Sequence, residues 1–448
     1  MESLVKLSND LATERTTARA LLEQCFENIA NPAGEGERAF LSVNHDKARA
    51  QADAMDSLRK RGLQPSAWAG IPISVKDLYD VRGEVTSAGS LVLKDNPPAV
   101  VDAPTIARLR AAGLVFVGRT NMVEFAYAGI GMNPHFGTPR IPFDRQTGRI
   151  PGGSTSGGAV SVADGMAAAA LGSDTGGSCR IPAAFCGITG YKPTASRVPL
   201  TGLTPLSFSL DSAGPLSNSV DCCAVLDAVM AGEPARENAP VNPAHIHLAI
   251  PQTLMMDGVD AEVGAAFEAA VGRLSDAGIT IEKIPFDELA ELPHINRFGG
   301  FAASESYAWH KQMLADHMDA YDPRVGGRII KGAQQTAADY IELCQQRQRI
   351  IRQAAQTTAR FDAFIAPTVA IVPPTIASLA DDEAYFSTNM MTLRNTSVGN
   401  FLDRCSISLP CHEAEAAPVG FMLTGRHGDD HHLLRVAKTV ETLIRAAL

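Results

Sequence analysis

Two glycine clusters that contain serines lie close together in the middle of the chain. The first spans residues 152–158 and includes Ser154, and the second spans residues 176–178 and ends at Ser178. Glycine lets backbone N–H groups turn toward one point and lets a ligand approach closely, because no Cβ intervenes. A serine placed there can act as a nucleophile whose developing oxyanion is held by backbone donors. The pattern predicts a nucleophilic serine in a nest of N–H groups, with a second serine beside it.

A lysine that follows a short apolar run is the second candidate for chemistry. Residues 71–75 have the composition of a buried strand, and Lys76 stands directly at its end. A lysine in that place is ordinarily an edge residue whose ammonium reaches solvent. If it is buried instead, its pKa falls from about 10.4 and the neutral amine can accept a proton. The residues alone leave both interpretations open.

The segment between the two clusters, Ala159–Leu171, consists largely of small residues, and we predict a tightly packed helix there. Two loops and a core helix without any chemistry are the alternative interpretation of the whole stretch. A phosphate-binding loop is disfavoured, because no G-K-[ST] follows either cluster. A Ser-His-Asp hydrolase is disfavoured as well, because neither Ser154, Ser156 nor Ser178 lies in a G-x-S-x-G pattern.

The stretch resembles the signature of the amidase signature family, whose members are serine hydrolases and amide transferases with a Ser-Ser-Lys triad. The matching run is Gly172-Ser173-Asp174-Thr175-Gly176-Gly177-Ser178-Cys179-Arg180-Ile181-Pro182-Ala183. A second family pattern is matched by Gly70-Ile71-Pro72-Ile73-Ser74-Val75-Lys76-Asp77. Further matches extend the resemblance from about residue 70 to the end of the chain. One departure is Met422, which stands where the family usually has glutamine.

The resemblance implies a role for each candidate residue. Lys76 is expected to be the ultimate base, Ser154 the proton relay behind a cis peptide bond, and Ser178 the nucleophile. Asp174 and Arg180 are expected to pair and to hold the loop around Ser178. The expected oxyanion donors are the backbone N–H groups of Thr175, Gly176, Gly177 and Ser178.

The identity of the relay serine depends on how the first cluster is aligned. Alignment on the glycine pair selects Ser156 or Thr155, whereas the family's spacing between relay and nucleophile selects Ser154 without a gap. A helix rises by about 1.5 Å per residue, so a helical segment between the clusters would make the spacing decisive. We therefore predict that Ser154 is the relay.

The segment 118–137 resembles a family segment that lies beside the site. Tyr127, Ile130 and Met132 are expected to line an apolar acyl pocket, with a plain core role as the alternative. His135 is expected to have a structural or rim role, since a Ser-Ser-Lys scheme needs no histidine. The residues expected to contact substrate are Tyr127, Ile130, Gly131, Met132 and Gly153.

The expected fold is one α/β domain over residues 1–448, with a mixed, largely parallel twisted sheet covered by helices on both faces. Residues 1–66 are expected to form a helical segment that precedes an α/β core at 67–448. Apolar residues recur at helical spacing near the N-terminus. A strand at 246–251, a helix at 261–277 and a strand at 279–284 predict a parallel βαβ unit.

Composition excludes several classes of protein. The chain has 448 residues, of which 45% are hydrophobic, and a net charge of −10 without long blocks of like charge. This balance favours neither nucleic-acid nor membrane binding. None of the eight cysteines forms a C-x-x-C pair, so we expect no metal and no cofactor. The N-terminus lacks a signal-peptide pattern, which favours a cytoplasmic protein, either a monomer or a homodimer.

The predicted function is a hydrolase that cleaves a non-peptide C–N bond through a serine acyl-enzyme. The substrate is expected to be a small-molecule amide, anilide or carbamate, as for the aryl acylamidases and urethane hydrolases of the family. The alternative within the family is the glutaminase subunit of a tRNA-dependent amidotransferase, which works with partner subunits. The sequence does not choose among these substrates.

Overall fold

The computed structural model describes residues 1–235 and 238–445. An eleven-stranded sheet runs through the described residues. The strands are β1 (Phe40–Val43), β2 (Pro72–Lys76), β3 (Val115–Thr120), β4 (Ala169–Ser173), β5 (Thr189–Lys192), β6 (Ala213–Ser217), β7 (His247–Pro251), β8 (Thr280–Ile284), β9 (Ala363–Pro367), β10 (Ser406–Pro410) and β11 (Gly420–Thr424).

Helices precede, follow and connect these strands. They are α1 (Leu4–Ala12), α2 (Ala18–Ala30), α3 (Gly36–Ala39), α4 (His45–Arg59), α5 (Pro104–Ala111), α6 (Ser156–Ala163), α7 (Arg180–Cys186), α8 (Val220–Ala231), α9 (Ala261–Asp276), α10 (Leu292–Ile295), α11 (Gly300–His317), α12 (Pro323–Ile330), α13 (Ala337–Thr357), α14 (Asp382–Phe401) and α15 (Asp430–Arg445). In the described part of the chain, no helix is long and apolar enough to cross a membrane.

The sheet order is β1-β3-β2-β4-β6-β5-β10-β11-β9-β7-β8. Parallel pairings occur at two places, where β2 pairs with β3 and β4, and where β7 pairs with β8 and β9. The strands between these places pair antiparallel, as does the edge strand β1 with β3. The single α/β domain with a mixed sheet is confirmed, and so is the predicted parallel βαβ unit, formed by β7, α9 and β8.

Both faces of the sheet are covered, as alternate residues of β4 show. Ala169 and Leu171 belong to the largest apolar cluster of the protein, whereas Ala170 between them belongs to another cluster. Successive side chains of a strand point to opposite faces, so each face of β4 packs against its own core. The N-terminal segment contributes to this arrangement, because β1 lies within it and pairs with β3.

The predicted helix over Ala159–Leu171 is wrong in its second half. Helix α6 ends at Ala163, Gly165 turns the chain with φ of +67°, and Ala169 begins β4. The alanines of β4 are fully buried between β2 and β6, where small side chains fit between the two packed faces. Tertiary packing thus overrides the helix propensity of alanine. A continuous helix therefore does not fix the spacing of the two serines.

Candidate active site

Lys76 is the last residue of β2 and is completely buried. Its neighbours in the sheet are β3 and β4, so the strand end points into the protein rather than toward solvent. The Nζ atom lies 2.8 Å from Ser154 Oγ and 2.8 Å from Ser173 Oγ. Burial penalises the ammonium form and lowers the pKa of Lys76 to about 8. The lysine is therefore a buried amine between two hydroxyls, and the edge interpretation is wrong.

Ser154 is held by a tight turn of the first glycine cluster. The peptide bond between Gly153 and Ser154 is cis, as the resemblance implied. Gly153 N donates to Gly129 O at 2.8 Å, and Val123 N donates to Ser154 O at 3.1 Å. A Cβ on Gly153 would lie 2.7 Å from Gly131 N, so only glycine fits there. The turn delivers the Ser154 hydroxyl to Lys76, whereas Ser156 begins α6 and contacts Asn121 O at 3.4 Å.

The second cluster forms a turn with free backbone donors. Within the described residues, the N–H groups of residues 175–178 have no hydrogen-bond acceptor, although the neighbouring Asp174 N donates to Ser212 O at 2.7 Å. Unpaired buried N–H groups are rare in proteins, and a run of them suits a developing oxyanion. Gly177 has φ of +139°, and a Cβ there would lie 2.2 Å from Thr396 Oγ1. The turn thus depends on glycine.

Ser178 lies at the end of this turn and is 3% exposed. Its carbonyl oxygen accepts a hydrogen bond of 3.4 Å from Thr155 N, so the two clusters are in direct contact. Within the described part of the chain, the Ser178 hydroxyl has no hydrogen-bond partner. The structure brings Lys76, Ser154 and the Ser178 backbone together, and it shows the Lys76–Ser154 contact directly.

Asp174 and Arg180 bracket the nucleophile turn and form the predicted pair. Arg180 Nη2 and Nε donate to the two carboxylate oxygens at 2.9 and 3.0 Å, with both side chains fully buried. Asp174 Oδ2 also accepts Cys179 N at 3.1 Å, which ties the pair to the residue after Ser178. Burial opposes ionisation, but the charge and hydrogen bonds of Arg180, the charge of Lys192 and the hydrogen bond from Asn400 together outweigh it and lower the pKa of Asp174 to about 2. The carboxylate stays ionised and anchors the turn.

Met422 completes the surroundings of Arg180. Its sulfur lies 3.3 Å from Arg180 Nη1, and the methionine is almost fully buried on β11. Asn400 Oδ1 accepts from Arg180 Nη2 at 2.7 Å. The residue that departs from the family pattern therefore takes the place of an acceptor, although a thioether is a weak one.

Ser173 and Asn400 are site residues that sequence reasoning missed. Ser173 stands at the second position of the matched run, beside Asp174, and no role was inferred for it. Asn400 comes from α14, far away in the sequence, and its amide donates to Asp174 O and Oδ1 at 2.9 Å. No signal in the sequence connects Asn400 to Asp174, because their proximity depends on how α14 packs.

The residues expected to line the acyl pocket lie near the site in a well-packed segment. Ile130 is fully buried, Tyr127 is 5% exposed, and Met132 is half-buried. The Arg328 guanidinium stacks 4.2 Å from the centre of the Tyr127 ring and donates to Tyr127 O. Gly131, with φ of +91°, lies directly against Gly152 O. The expected contact with substrate stays a prediction.

His135 and Asp211 have other partners than the serines. His135 Nε2 lies 3.1 Å from Glu124 Oε1, which agrees with a structural or rim role. Asp211 accepts a hydrogen bond from Thr175 Oγ1 at 2.5 Å. Across the described ranges, no group of His, Cys, Asp and Glu side chains is arranged to hold a metal ion. The side chains that contact Lys76 Nζ are thus two hydroxyls, those of Ser154 and Ser173.

Comparison with known proteins identifies the family of the chain. The profile of the Amidase family matches residues 20–434. The chain belongs to the amidase family. A 2-amino-5-chloromuconic acid deaminase of Comamonas testosteroni is 36% identical to this amidase over 449 residues, which cover 99% of the chain and 96% of the relative.

Two further relatives broaden the comparison. A glutamyl-tRNA(Gln) amidotransferase subunit from Cupriavidus necator is 32% identical, with 97% of the amidase and 95% of the relative covered. A crystal structure of an amidase superposes with a TM-score of 0.89 at 30% identity, covering 98% of this chain and 99% of the other. The protein is therefore a hydrolase of the amidase family that acts on C–N bonds.

Proposed function

We propose that this amidase hydrolyses a small-molecule amide-type bond through an acyl-enzyme on Ser178, with Ser154 and Lys76 as proton carriers. The observation that carries the proposal is the distance of 2.8 Å between Lys76 Nζ and Ser154 Oγ in a fully buried site. An amine with a pKa of about 8 is substantially neutral at mildly alkaline pH and can accept a proton. The family relationship supports the same chemistry.

The proposed reaction has two stages. Ser178 Oγ attacks the carbonyl carbon while its proton passes to Ser154, whose own proton passes to the neutral Lys76. The N–H groups of residues 175–178 hold the oxyanion, and losing one such donor typically costs about 2.7–4 kcal/mol. The C–N bond then breaks, and the same chain returns a proton to the leaving nitrogen. Water attacks the acyl-enzyme, releases the acid and regenerates Ser178.

Trapping of the acyl-enzyme tests this proposal. Hydroxylamine added during amide turnover should divert the product to a hydroxamate, because an acyl-enzyme accepts other nucleophiles. A phosphonate or sulfonyl fluoride should modify Ser178, as mass spectrometry of the digested protein would show, and Ser178→Ala should be inactive. An adduct on another residue together with an active Ser178→Ala variant would refute the assignment.

A glutaminase subunit that requires partners is the second candidate function. Its support is the relative from Cupriavidus necator, an amidotransferase subunit matched over 97% of this chain. We favour the stand-alone enzyme because the deaminase relative has the higher identity over an equally complete match. Hydrolysis of simple amides by the purified chain alone would support the stand-alone function. Strict dependence on added partner subunits, with glutamine as substrate, would support the alternative.

We further propose a small uncharged amide, anilide or carbamate as the substrate class, and a cytoplasmic monomer or homodimer as its state. A hydrolysis screen over amides, anilides, carbamates and esters tests the first point. Light scattering of the purified chain tests the oligomeric state. A mass larger than that of a homodimer would contradict the proposed state.

A further inference from the structure

A cavity of about 410 Å³ opens beside the site floor, which is formed by Lys76, Ser154, Ser173 and the turn 175–178. Ser173 and Thr175 belong to both the site floor and the lining of the cavity. Ser173 lines the cavity, and its hydroxyl lies 2.8 Å from Lys76 Nζ. The cavity therefore adjoins the proposed reaction site through Ser173 and Thr175, and its volume is typical of a small-ligand pocket.

The cavity wall is apolar. By the cavity wall we mean the large apolar side chains among the lining residues, which are Leu78, Leu200, Leu203, Leu206 and Phe208. The backbone joins this wall to the segment that follows Lys76, since Thr204 N donates to Leu78 O at 2.9 Å and Asp80 N donates to Gly202 O at 2.8 Å. The position of the wall is thus fixed relative to the end of β2.

The charged side chain in the lining, Asp211, already accepts three hydrogen bonds. Asp211 accepts from Thr175 Oγ1 at 2.5 Å, Leu206 N at 3.0 Å and Ser207 N at 3.1 Å. Of the described residues, those that line the cavity include no lysine or arginine. An anionic group of a ligand would lose its hydration there without gaining an opposite charge, and a cationic group would meet only a carboxylate that already accepts three hydrogen bonds. An uncharged apolar group would gain by leaving water.

A buried carboxylate from α11 holds the wall in place. Glu305 accepts hydrogen bonds from Ser207 Oγ at 2.5 Å, Ser209 N at 3.0 Å, Ser209 Oγ at 2.5 Å and Tyr340 OH at 2.7 Å. These bonds fasten the chain on both sides of Phe208, whose side chain is 63% exposed. The pocket is thus built before a ligand arrives, and preorganisation of this kind favours discrimination between substrates.

We propose that this cavity receives an uncharged alkyl or aryl substituent of the substrate and that the cavity wall determines specificity. The proposal rests on the proposed function, because the substituent is located relative to a carbonyl attacked by Ser178. The proposed pocket differs from the acyl pocket expected from the sequence, because Tyr127, Ile130 and Met132 are not among the residues that line this cavity. The substituent belongs to either the acyl or the amine half of the substrate, and two substrate series distinguish these.

The experiment compares primary amides of lengthening acyl chain with acetamides of lengthening N-alkyl chain. One series should gain about fourfold in kcat/KM for each methylene that enters the cavity. Leu203→Trp fills the cavity and should abolish this gain, which is measured relative to acetamide with the same variant. Phe208→Ala, at an exposed position that tolerates truncation, should reduce the gain in kcat/KM per methylene. Leu63→Trp, at an exposed leucine outside the cavity, is the matched control and should leave it unchanged.

Binding of uncleaved methyl alkyl ketones, measured by calorimetry, gives a readout that needs no turnover. Affinity that rises with chain length in the native protein and not in Leu203→Trp supports the cavity even if every amide is left intact, in which case the proposed function fails by itself. If amides are hydrolysed but both series are flat, or if their slopes persist in Leu203→Trp and Phe208→Ala, the cavity proposal is overturned.

Discussion

The site floor shares Ser173 and Thr175 with the lining of the cavity, but the site floor and the cavity wall are stabilised in different ways. In the site floor, Lys76 and Ser154 are fully buried polar residues that hydrogen-bond to each other. In the cavity wall, Leu203 is half-buried and Phe208 is largely exposed. A buried polar group must find a partner, whereas an apolar side chain needs only neighbours of suitable volume. The site floor therefore tolerates few substitutions, and the cavity wall can change with the substrate.

The backbones of the site floor and the cavity wall also differ in their dependence on glycine. A Cβ at Gly153 or Gly177 would collide with neighbouring atoms at 2.7 Å or less, so the turns of the site floor admit no side chain. The wall segment 200–208 is instead held from outside, by Glu305 and Asp211. The chemistry depends on the identity of many residues in a short stretch, whereas the shape of the cavity depends on a few distant anchors.

The largest effect is expected at Ser154, which tests whether the site floor depends on single hydroxyls. Ser154→Ala should lower kcat by about 10²–10⁴-fold or more, because the proton path between Ser178 and Lys76 is broken. Ser156→Ala is the matched control and should keep activity within about tenfold, since its hydroxyl contacts Asn121 O rather than Lys76. Thr155→Ala should fall between them. Steady-state kinetics on one amide would check all three variants.

The reverse order would contradict this view. If Ser156→Ala is inactive while Ser154→Ala is nearly normal, the glycine register and not the contact with Lys76 identifies the relay. Circular dichroism should show that each variant is folded, so that a loss of kcat reports the chemistry.

Apart from Ser173, the residues of the site floor could be singled out from the sequence because their constraints are local. Lys76 ends an apolar strand, and Ser154 and Ser178 follow glycines that the turns require. The prediction of Ser154 relied partly on a continuous helix, which was wrong, since α6 and β4 take its place. Ser154 nevertheless contacts Lys76, although the chain from Ser154 to Ser178 passes through a helix, a turn and a strand.

The remaining features could not be predicted because they depend on long-range packing. Asn400 reaches Asp174 only through the position of α14, and Glu305 reaches Ser207 only through that of α11. The antiparallel strands between the two parallel parts of the sheet have no distinct local pattern either. In the sequence, Leu203 cannot be distinguished from a leucine of the hydrophobic core, so no motif predicts the cavity wall.

A smaller effect is expected in the pH dependence of activity. This prediction tests whether the Ser173 hydroxyl affects the pKa of Lys76. Activity should rise with pH through about 8 and stay high above it, because a base must be neutral and burial lowers the pKa of Lys76. Ser173→Ala removes an acceptor that favours the ammonium. The midpoint should therefore move to lower pH, and kcat should fall by about three- to tenfold, equivalent to about 0.5–1.5 kcal/mol for one hydrogen bond.

The control for this profile is Ser161→Ala, which also removes a buried hydroxyl. Ser161 Oγ lies 2.9 Å from Ser74 Oγ and does not contact Lys76, so this variant should keep the native midpoint. Equal shifts in both variants, or none in Ser173→Ala, would mean that the Ser173 hydroxyl does not act on the lysine. Amide hydrolysis measured between pH 6 and 10, a range of about two units on each side of the expected midpoint, gives the comparison.

The smallest effect is expected at Met422, which contacts Arg180. This residue tests whether a buried side chain near the site floor is selected by its hydrogen-bond partner or by its volume. Its thioether is a weak acceptor for Arg180 Nη1 at 3.3 Å, so Met422→Gln should offer a better one in a side chain of similar length. The free energy of unfolding should rise by about 0.5–1.5 kcal/mol. Met422→Leu keeps the volume but leaves the guanidinium N–H without a partner, so it should lower that free energy by about 1–3 kcal/mol.

Urea unfolding would measure these differences, and kcat should change little because Asp174 still holds Arg180 through two other nitrogens. A Met422→Leu variant as stable as the native protein would show that the sulfur contact contributes nothing. Met422 would then be a volume-filling residue like those of the cavity wall. A stabilising Met422→Gln would instead show that a hydrogen bond to Arg180 matters at this position, as hydrogen bonds do for the polar residues of the site floor.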